Sequence, residues 1–287
     1  MLSVLSLAGC AAGQPATRSL ELPQSSAAQL RYGTYEWNAD DAIGRWQAGT
    51  LWTLLAAKHV DDVLLGFDDA QIAKYSTPRG TAQIDAMISQ GRARGVKVEL
   101  LLGDPSWILP SGYRSLETIL RRLQRIDFAG VNLDLEPNEV KGYPLPTVLA
   151  DLVAAIRRYV AASRWPVTLD VNYIYAQAHA ARNGGYCLIC GLSSAGLRHV
   201  DLMTYIADPA VVVKVDGPLL ARYPQMRFAI AQSVEPPSVI PIRDSYWKDG
   251  FTRFYAEMEK LDARLQPRKN YDGIVIESMQ YLETMRS

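Results

Sequence analysis

The dominant feature of the sequence is a regular alternation of short apolar runs with longer helical stretches, repeated eight times. Strands are predicted at residues 30–37, 62–68, 96–104, 129–136, 166–173, 200–207, 227–235 and 271–278. Helices are predicted at residues 41–58, 81–94, 115–126, 146–163, 209–223 and 247–265, with a terminal helix to residue 285. Strands that alternate with helices of this length pair in parallel through right-handed crossovers. The pattern predicts a (β/α)8 TIM barrel in a single domain.

An open, doubly wound sheet is the alternative arrangement of the same units. That fold usually carries a glycine-rich phosphate turn after its first strand, whereas residues 38–41 read Asn-Ala-Asp-Asp. The length of 287 residues also fits one barrel with a short extension. The chain has 30 basic and 30 acidic residues, so no basic surplus is available to neutralise phosphates, and nucleic acid is excluded as an expected partner.

Strand four carries the most informative set of polar residues. Side chains alternate along a strand, so Leu133 and Leu135 fit the layer that faces the helices. Asn132, Asp134 and Glu136 then point into the barrel together. Three inward polar residues are costly to bury, and active sites of such barrels lie where the strands end. The pattern therefore favours a functional site at this strand end.

Other strand ends contribute to the same mouth of the barrel. Polar candidates there are Asp68, Asp104, Asp170, Asn172, Glu235 and Glu277. Trp37 and Trp107 follow strands one and three, and Tyr205 lies on strand six. An acidic mouth lined with aromatic rings suits carbohydrate, because glycosidic cleavage uses carboxylates and sugars stack on indole rings. The alternative role for each single acid is a loop cap or an ion pair. The alternative role for each tryptophan is ordinary packing beneath a loop.

Residues 130–136 read Gly-Val-Asn-Leu-Asp-Leu-Glu and resemble the fourth strand of the chitinase-type family 18 of glycoside hydrolases, Asp-Gly-x-Asp-x-Asp-x-Glu. The resemblance implies that Glu136 is the general acid. It also implies that Asp134 orients an acetamido group of the substrate, whose oxygen acts as the nucleophile. Residues 203–205, Met-Thr-Tyr, are similar to the family's Met-x-Tyr-Asp, which implies that Tyr205 helps to hold the acetamido group.

The chain departs from the family pattern at several positions. Ala129 and Asn132 stand where the family has its first two acids, and Ile206 follows Tyr205 in place of an aspartate. The family's Ser-x-Gly-Gly on strand three and its tryptophan on strand eight have no evident counterpart. The resemblance is thus confined to parts of strands four and six and to the fold, and it supports a glycosidase-like barrel better than it supports chitin as the substrate.

A two-carboxylate mechanism is the alternative for the same strand ends. Many barrel glycosidases place an acid/base on strand four and a nucleophile on strand seven, and Glu136-Pro137 and Glu235-Pro236 match that layout loosely. Those enzymes usually have Asn before the strand-four Glu, where this chain has Leu135. Glu277 is a third candidate nucleophile. A carboxylate separation of about 5 Å favours retention through a covalent intermediate.

The first ten residues end in Leu-Ala-Gly-Cys and resemble the lipobox of bacterial lipoproteins. The resemblance implies lipidation of Cys10, and Ala11 after it implies the periplasmic face of the outer membrane. The apolar stretch is short and lacks a preceding Lys or Arg, so an apolar N-terminus without a signal function is the alternative. We expect a signal remnant and flexible tether over residues 1–28 and the barrel domain over residues 29–287.

Cys187 and Cys190 form a Cys-Leu-Ile-Cys motif in a predicted loop over residues 174–194. A local disulfide is expected in an oxidising compartment, with free thiols or a metal site as alternatives. A zinc site needs about four ligands, and only His179 and His199 lie near this loop. The sequence therefore predicts no metal site and no cofactor.

Three functions follow from these features. The first is a cell-envelope glycoside hydrolase that cleaves a polysaccharide or oligosaccharide, anchored to the membrane by a lipid, with Glu136 as acid and Asp134 as partner. The second is a glycan-binding or scaffold lipoprotein that keeps the barrel without catalysis, which the residues at 129, 132 and 206 motivate. A metal-dependent hydrolase is the third and weakest, since none of the three histidines lies at a strand end.

Overall fold

The computed structural model describes residues 32–177 and 183–286, and eight parallel strands in these ranges close into a barrel in chain order. Each strand pairs with the next, and the eighth pairs with the first. The predicted TIM barrel is confirmed. The strands are β1 (Tyr32–Glu36), β2 (Val60–Gly66), β3 (Lys97–Gly103), β4 (Val131–Asp134), β5 (Val167–Asn172), β6 (His199–Met203), β7 (Arg227–Ser233) and β8 (Tyr271–Glu277).

Helices connect the strands and surround the barrel. They are α1 (Ala39–Gln47), α2 (Leu51–Ala57), α3 (Asp69–Tyr75), α4 (Pro78–Arg92), α5 (Tyr113–Leu123), α6 (Leu145–Ala162), α7 (Tyr173–Ala176), α8 (Leu188–Ser194), α9 (Pro209–Arg222), α10 (Gly250–Leu265) and α11 (Met279–Thr284). Apolar faces of these helices pack on the outward side chains of the strands, which forms the larger hydrophobic core.

Three predicted connections differ from the structure, and one of them, between β2 and β3, contains α3 before the predicted helix. The single helix expected over residues 41–58 is two helices, because Gly49 between them adopts a positive φ of 75° that ends α1. The loop expected over residues 174–194 contains the short helices α7 and α8, and residues 178–182, which include His179, lie outside the described part of the chain.

A second, smaller core fills the barrel itself. It consists of Tyr35, Leu64, Leu101, Met203, Ala229, Ala231 and Val275. These side chains alternate along their strands with those of the outer core, as the pleat of a strand requires. The interior is therefore packed, and buried polar side chains such as Asp170, which accepts the Tyr35 hydroxyl, lie against these apolar ones.

A polar cavity of about 260 Å³ lies at the end of the barrel where the strands begin. Its acids have cationic or imidazole neighbours: Lys97 contacts Asp62 and Glu99, and His199 lies 3.2 Å from Asp272. Residues at this end of such barrels serve stability. We therefore interpret the charged residues that line this cavity as a structural ion-pair network. It lies at the opposite end of the barrel from the predicted active site.

The structure joins Cys187 and Cys190 in a disulfide. Both sulfurs lie against the hydroxyl group of Tyr223, at 3.1 and 3.4 Å. Cys187 also caps α8, since its Sγ accepts the backbone N–H of Cys190. The bridge thus closes the first turn of α8, and the hydroxyl of Tyr223, just after α9, contacts both of its sulfurs.

The predicted signal remnant and tether, with Cys10, lie outside the described residues, which begin at Tyr32. Within the described ranges, no helix is both long and apolar enough to cross a membrane. Lipidation of Cys10 therefore stays a prediction from the sequence.

Candidate active site at the barrel mouth

The two strand-four acids lie at the mouth of the barrel. Asp134 is the last residue of β4, and Glu136 precedes a one-turn 3-10 helix over Pro137–Glu139. Pro137, which has no N–H to donate, opens this 3-10 helix directly after Glu136. Both acids are half-buried, whereas Leu135 between them is fully buried on the outer side. The predicted alternation of this strand is confirmed.

Burial makes both acids harder to ionise. Burial, followed by the charges of Glu136 and Glu139, raises the pKa of Asp134 to about 7. The pKa of Glu136 is raised as well, mainly by burial. A hydrogen bond of 3.3 Å from Asn138 Nδ2 to Glu136 Oε2 opposes this rise, while the charge of Glu139 adds to it. A carboxylic acid that keeps its proton near neutral pH is what general acid catalysis requires.

Glu235 and Glu277 complete an acidic cluster with the strand-four acids. Both are about nine-tenths buried, Glu235 just beyond β7 and Glu277 at the end of β8. Burial raises the pKa of each, and the charges of Glu235, Asp134 and Glu136 raise that of Glu277 further, to well above its ordinary value. The four predicted catalytic carboxyl groups therefore occupy one electrostatic neighbourhood.

Tyr205 lies in the middle of this cluster. It follows β6 by two residues, and its pKa is raised first by burial and then by the charges of Glu277, Asp134, Asp170 and Glu235. The phenol is consequently a neutral hydrogen-bond donor among carboxyl groups.

Trp37 forms a flat platform at the mouth. Its ring stacks on Tyr35 with centroids 6.0 Å apart and planes 9° apart, and its Nε1 donates to Glu277 Oε1 at 2.8 Å. Two contacts therefore hold the indole in place while 41% of the residue stays exposed. A ring fixed in this way presents an apolar face to a ligand at no further ordering cost.

Two glycines make room for this platform. A Cβ at Gly66, the last residue of β2, would lie 2.8–2.9 Å from the backbone of Trp37. A Cβ at Gly103, the last residue of β3, would lie 3.1 Å from the Asp134 carbonyl oxygen and 3.8 Å from the Trp37 ring. The ends of β2 and β3 therefore lack side chains where Trp37 lies beside Asp134.

Asn132 and Asp170, two of the predicted substrate-binding residues, lie buried below the mouth of the barrel. They are 0% and 2% exposed, and Asn132 Nδ2 donates to Asp170 Oδ1 at 3.0 Å and to Asp201 Oδ2 at 2.9 Å. Tyr35 donates its hydroxyl hydrogen to the same Asp170 oxygen at 2.9 Å. The inward direction of both side chains was predicted, and the network holds them beneath the mouth. Direct contact of either residue with a substrate stays a prediction.

Several other predicted residues take structural roles. Trp107 is 8% exposed and packs in the outer core, where its carbonyl accepts the Tyr159 hydroxyl at 2.6 Å, so it offers little surface to a substrate. Asn172 stays at the mouth, and its Oδ1 accepts the N–H of Ile174 at the start of α7. Asp68 and Asp104 cap short helices, as the alternative interpretation of each acid had it.

Two residues of the buried network were not among the candidates. Tyr35 and Asp201 lie on the inner faces of β1 and β6. The alternation that turns Trp37 inward also turns Tyr35 inward, so the signal for this residue was present in the sequence. Among the described residues, no group of three or more His, Cys, Asp or Glu side chains is arranged to hold a metal ion.

Comparison with known proteins supports the fold. No protein-family model matches the chain, and no curated protein matches its sequence. Solved structures similar to it include a sugar phosphate isomerase/epimerase from Parabacteroides distasonis, with a TM-score of 0.54, 10% identity, and coverage of 93% of this chain and 96% of that one. Another is a D-allulose 3-epimerase from Methylomonas sp., with a TM-score of 0.54, 13% identity and coverage of 87% and 84%.

A psychrophilic glycoside hydrolase family 10 endo-beta-1,4-xylanase is also similar, with a TM-score of 0.52, 11% identity, and coverage of 87% of this chain and 86% of that one. Glycoside hydrolases and sugar isomerases or epimerases thus stand among the structural neighbours. At these identities the likeness establishes the barrel fold alone.

Proposed function

We propose that the protein is a glycoside hydrolase that acts on a polysaccharide or oligosaccharide, with Glu136 as general acid and Asp134 as its partner. The observation that carries the proposal is the placement of Asp134 and Glu136 side by side at the mouth of the barrel, next to the exposed Trp37 platform. This combination provides a proton donor, a neighbouring carboxylate and an apolar surface for a sugar ring in one cleft.

The raised pKa of Glu136 supports its role as the acid. In a glycosidic cleavage the acid protonates the leaving oxygen and the resulting oxocarbenium-like charge is stabilised by a second group. Burial and the Glu139 charge raise the pKa of Glu136 and so favour its protonated form, which is the form that a general acid needs.

The second group is either the substrate or a carboxylate. In the acetamido-assisted mechanism Asp134 and Tyr205 hold the acetamido group that attacks the anomeric carbon. In the two-carboxylate mechanism Glu235 or Glu277 attacks it. Burial raises the pKa of both glutamates, and the charges of Glu235, Asp134 and Glu136 favour the neutral form of Glu277 further. A neutral carboxyl group is a poor nucleophile, so Glu235 is the stronger of the two candidates.

The decisive test is turnover by the Glu136→Gln variant against a panel of envelope and exopolysaccharide glycans, with and without N-acetyl groups. We expect a loss of at least about a hundredfold in kcat, as for the removal of a general acid. Glu259→Gln, an exposed glutamate on α10, is the matched control and should retain activity. Unchanged turnover in Glu136→Gln would sink the assignment, and binding without any product would favour the glycan-binding scaffold.

The location of the protein is part of the proposal. We infer a lipid anchor at Cys10 on the periplasmic face of the outer membrane, from the lipobox-like residues 7–10. Metabolic labelling with a fatty-acid analogue tests it: label on the full chain and none on Cys10→Ser is the expected result. Equal labelling of both chains, or of neither, would contradict the anchor.

A further inference from the structure

Three aspartates occupy one row of the barrel interior. In the pairing of the strands Asp134 lies opposite Asp170, and Asp170 lies opposite Asp201. The row runs from the mouth, where Asp134 is partly exposed, to the cavity at the other end of the barrel, which Asp201 lines. Neighbouring strands lie about 4.8 Å apart, so the middle carboxyl group has an acid on each side.

The two oxygens of Asp170 have different surroundings. Oδ1 accepts hydrogen bonds from Asn132 Nδ2 at 3.0 Å and from the Tyr35 hydroxyl at 2.9 Å. Oδ2 is buried and has no hydrogen-bond partner within residues 32–177 and 183–286. A proton on this carboxyl group therefore belongs on Oδ2, since Oδ1 already receives two donors.

Asp134 offers the matching acceptor. Its Oδ1 is also buried without a hydrogen-bond partner among the described residues. The two side chains occupy paired, inward positions of adjacent strands, so rotation of one of them brings Asp170 Oδ2 within reach of Asp134 Oδ1. A hydrogen bond donated to a carboxylate favours its charged form.

We propose that Asp170 is a positioning residue that retains its proton on Oδ2 and donates it to Asp134, which leaves the single negative charge of the pair at the mouth. Burial, followed by the charges of Asp134 and Asp201, favours the neutral form of Asp170. The hydrogen bonds from Asn132 and Tyr35 oppose this preference, but they are smaller causes than burial and the two charges. Neither of these residues nor Tyr205 carries a positive charge.

This arrangement accounts for the amide at position 132. The chitinase-type pattern has an acid there, whereas in this chain Asn132 uses its N–H groups to hold two carboxyl groups from β5 and β6. The acid beside Asp134 is thereby supplied by the neighbouring strand. The role of Asp134 toward a substrate rests on the proposed function, but the location of the proton does not.

Variants at position 170 separate a neutral donor from a negative charge. Asp170→Asn keeps a neutral side chain with N–H donors, and Asp170→Leu removes the donor. The readout is the titration of the Asp134 carboxyl group by 13C NMR of carboxyl-labelled aspartate in the full chain, with Asp134→Asn to assign the signal. Asp201→Asn, which changes the other end of the row, is the matched control.

We expect the pKa of Asp134 to stay within about half a unit in Asp170→Asn and Asp201→Asn, and to rise by about one unit or more in Asp170→Leu. A fall of that size in Asp170→Asn would show that Asp170 had been ionised and would overturn the proposal. An unchanged pKa in Asp170→Leu would overturn it as well. If circular dichroism shows that Asp170→Leu does not fold, the titration of Asp170→Asn decides alone.

The titration needs no substrate, so it is independent of the Glu136→Gln assay that tests the proposed function. Where turnover is measured, Asp170→Asn should keep kcat within about threefold, whereas Asp170→Leu should lower kcat more than it changes KM. Loss of kcat in Asp170→Asn equal to that in Asp170→Leu would count against the neutral-donor role even if the titrations agreed with it.

Discussion

Trp37 donates its indole N–H to Oε1 of the Glu277 carboxyl group at 2.8 Å, which connects the residue after β1 to the end of β8 where the first and last strands pair. Through this bond an aromatic ring that follows β1 reaches the end of β8. The mouth of the barrel therefore has a fixed aromatic ring beside Glu277, although no tryptophan lies on β8.

Replacement of Trp37 tests this platform. Trp37→Ala should weaken glycan binding about tenfold, which corresponds to roughly 1.4 kcal/mol and to the loss of one ring contact. Trp37→Phe keeps a ring and should lose less, while the pKa of Glu277 rises because its donor is gone. Isothermal titration with a bound oligosaccharide measures the first effect. Trp46→Ala, on the outer helix α1, is the control, and equal losses in both variants would contradict a platform.

Substitution of the glycine beneath the platform should act through the same ring. Gly66→Ala places a Cβ against the Trp37 backbone, and the forced shift should cost about 1–3 kcal/mol in the free energy of unfolding. Gly44→Ala is the matched control, because its Cβ meets nothing within 4 Å in the helix α1, and it should stabilise slightly. Urea unfolding of both variants measures the difference. Equal free energies of unfolding in the two variants would show that the Trp37 backbone moves aside without a loss of stability, which would contradict the prediction.

The pH dependence of activity follows from the neighbours of Glu136. Activity should fall as the pH rises through the pKa of Glu136, because the acid then loses the proton it must donate. Glu139→Gln removes a charge that raises this pKa, so the falling limb should move to lower pH. Asn138→Ala removes a hydrogen bond that lowers it, so the limb should move to higher pH. Profiles of kcat/KM against pH measure both, and shifts in the same direction would rule out Glu136 as the titrating acid.

The stability of the fold should also depend on pH. Burial is the largest cause that raises the pKa values of Glu99, Asp134 and Asp216 to about 7. An acid whose pKa is higher in the folded state binds its proton more tightly there, so its contribution to stability is present at low pH and is lost as the pH rises from about 4 to 7.

Melting temperatures at pH 5.5 and pH 8 test this expectation. We expect the protein to melt at lower temperature at pH 8, by roughly 5 °C. Glu99→Gln cannot ionise and should reduce the difference between the two conditions. A difference that is the same in Glu99→Gln as in the unaltered chain would assign the effect to other groups.

The sequence predicted the barrel well because eight strands with one inward and one outward face leave few arrangements of the chain. Alternation correctly placed Asp134 and Glu136 on the inner face. It did not give depth, since the same alternation describes Asp170, which the network with Asn132 and Tyr35 seals below the mouth. Depth depends on how far each strand is shifted against its neighbours, and that shift is set by the closed barrel.

Trp37 and Trp107 also show that the sequence pattern does not reveal how deeply a side chain is buried. Trp37 and Trp107 both follow a strand, so their sequence contexts are alike. Trp107 enters a 3-10 helix that Asp104 caps, and its ring turns into the outer core. Trp37 is instead left above two glycines that belong to other strands. The different roles of the two residues, Trp107 packed in the core and Trp37 exposed at the mouth, therefore depend on contacts with segments that are distant in the sequence.

The two hydrogen bonds donated by Asn132 also restrict which substitutions this barrel can accept during evolution. The side-chain amide of Asn132 donates hydrogen bonds to the carboxyl groups of Asp170 and Asp201. An aspartate at position 132 could not donate both of these bonds. Related chains that carry Asp at this position should therefore have lost the acid at 170 or 201, and chains that keep both acids should keep the amide. The three positions should vary together as one unit, even though they lie on three different strands.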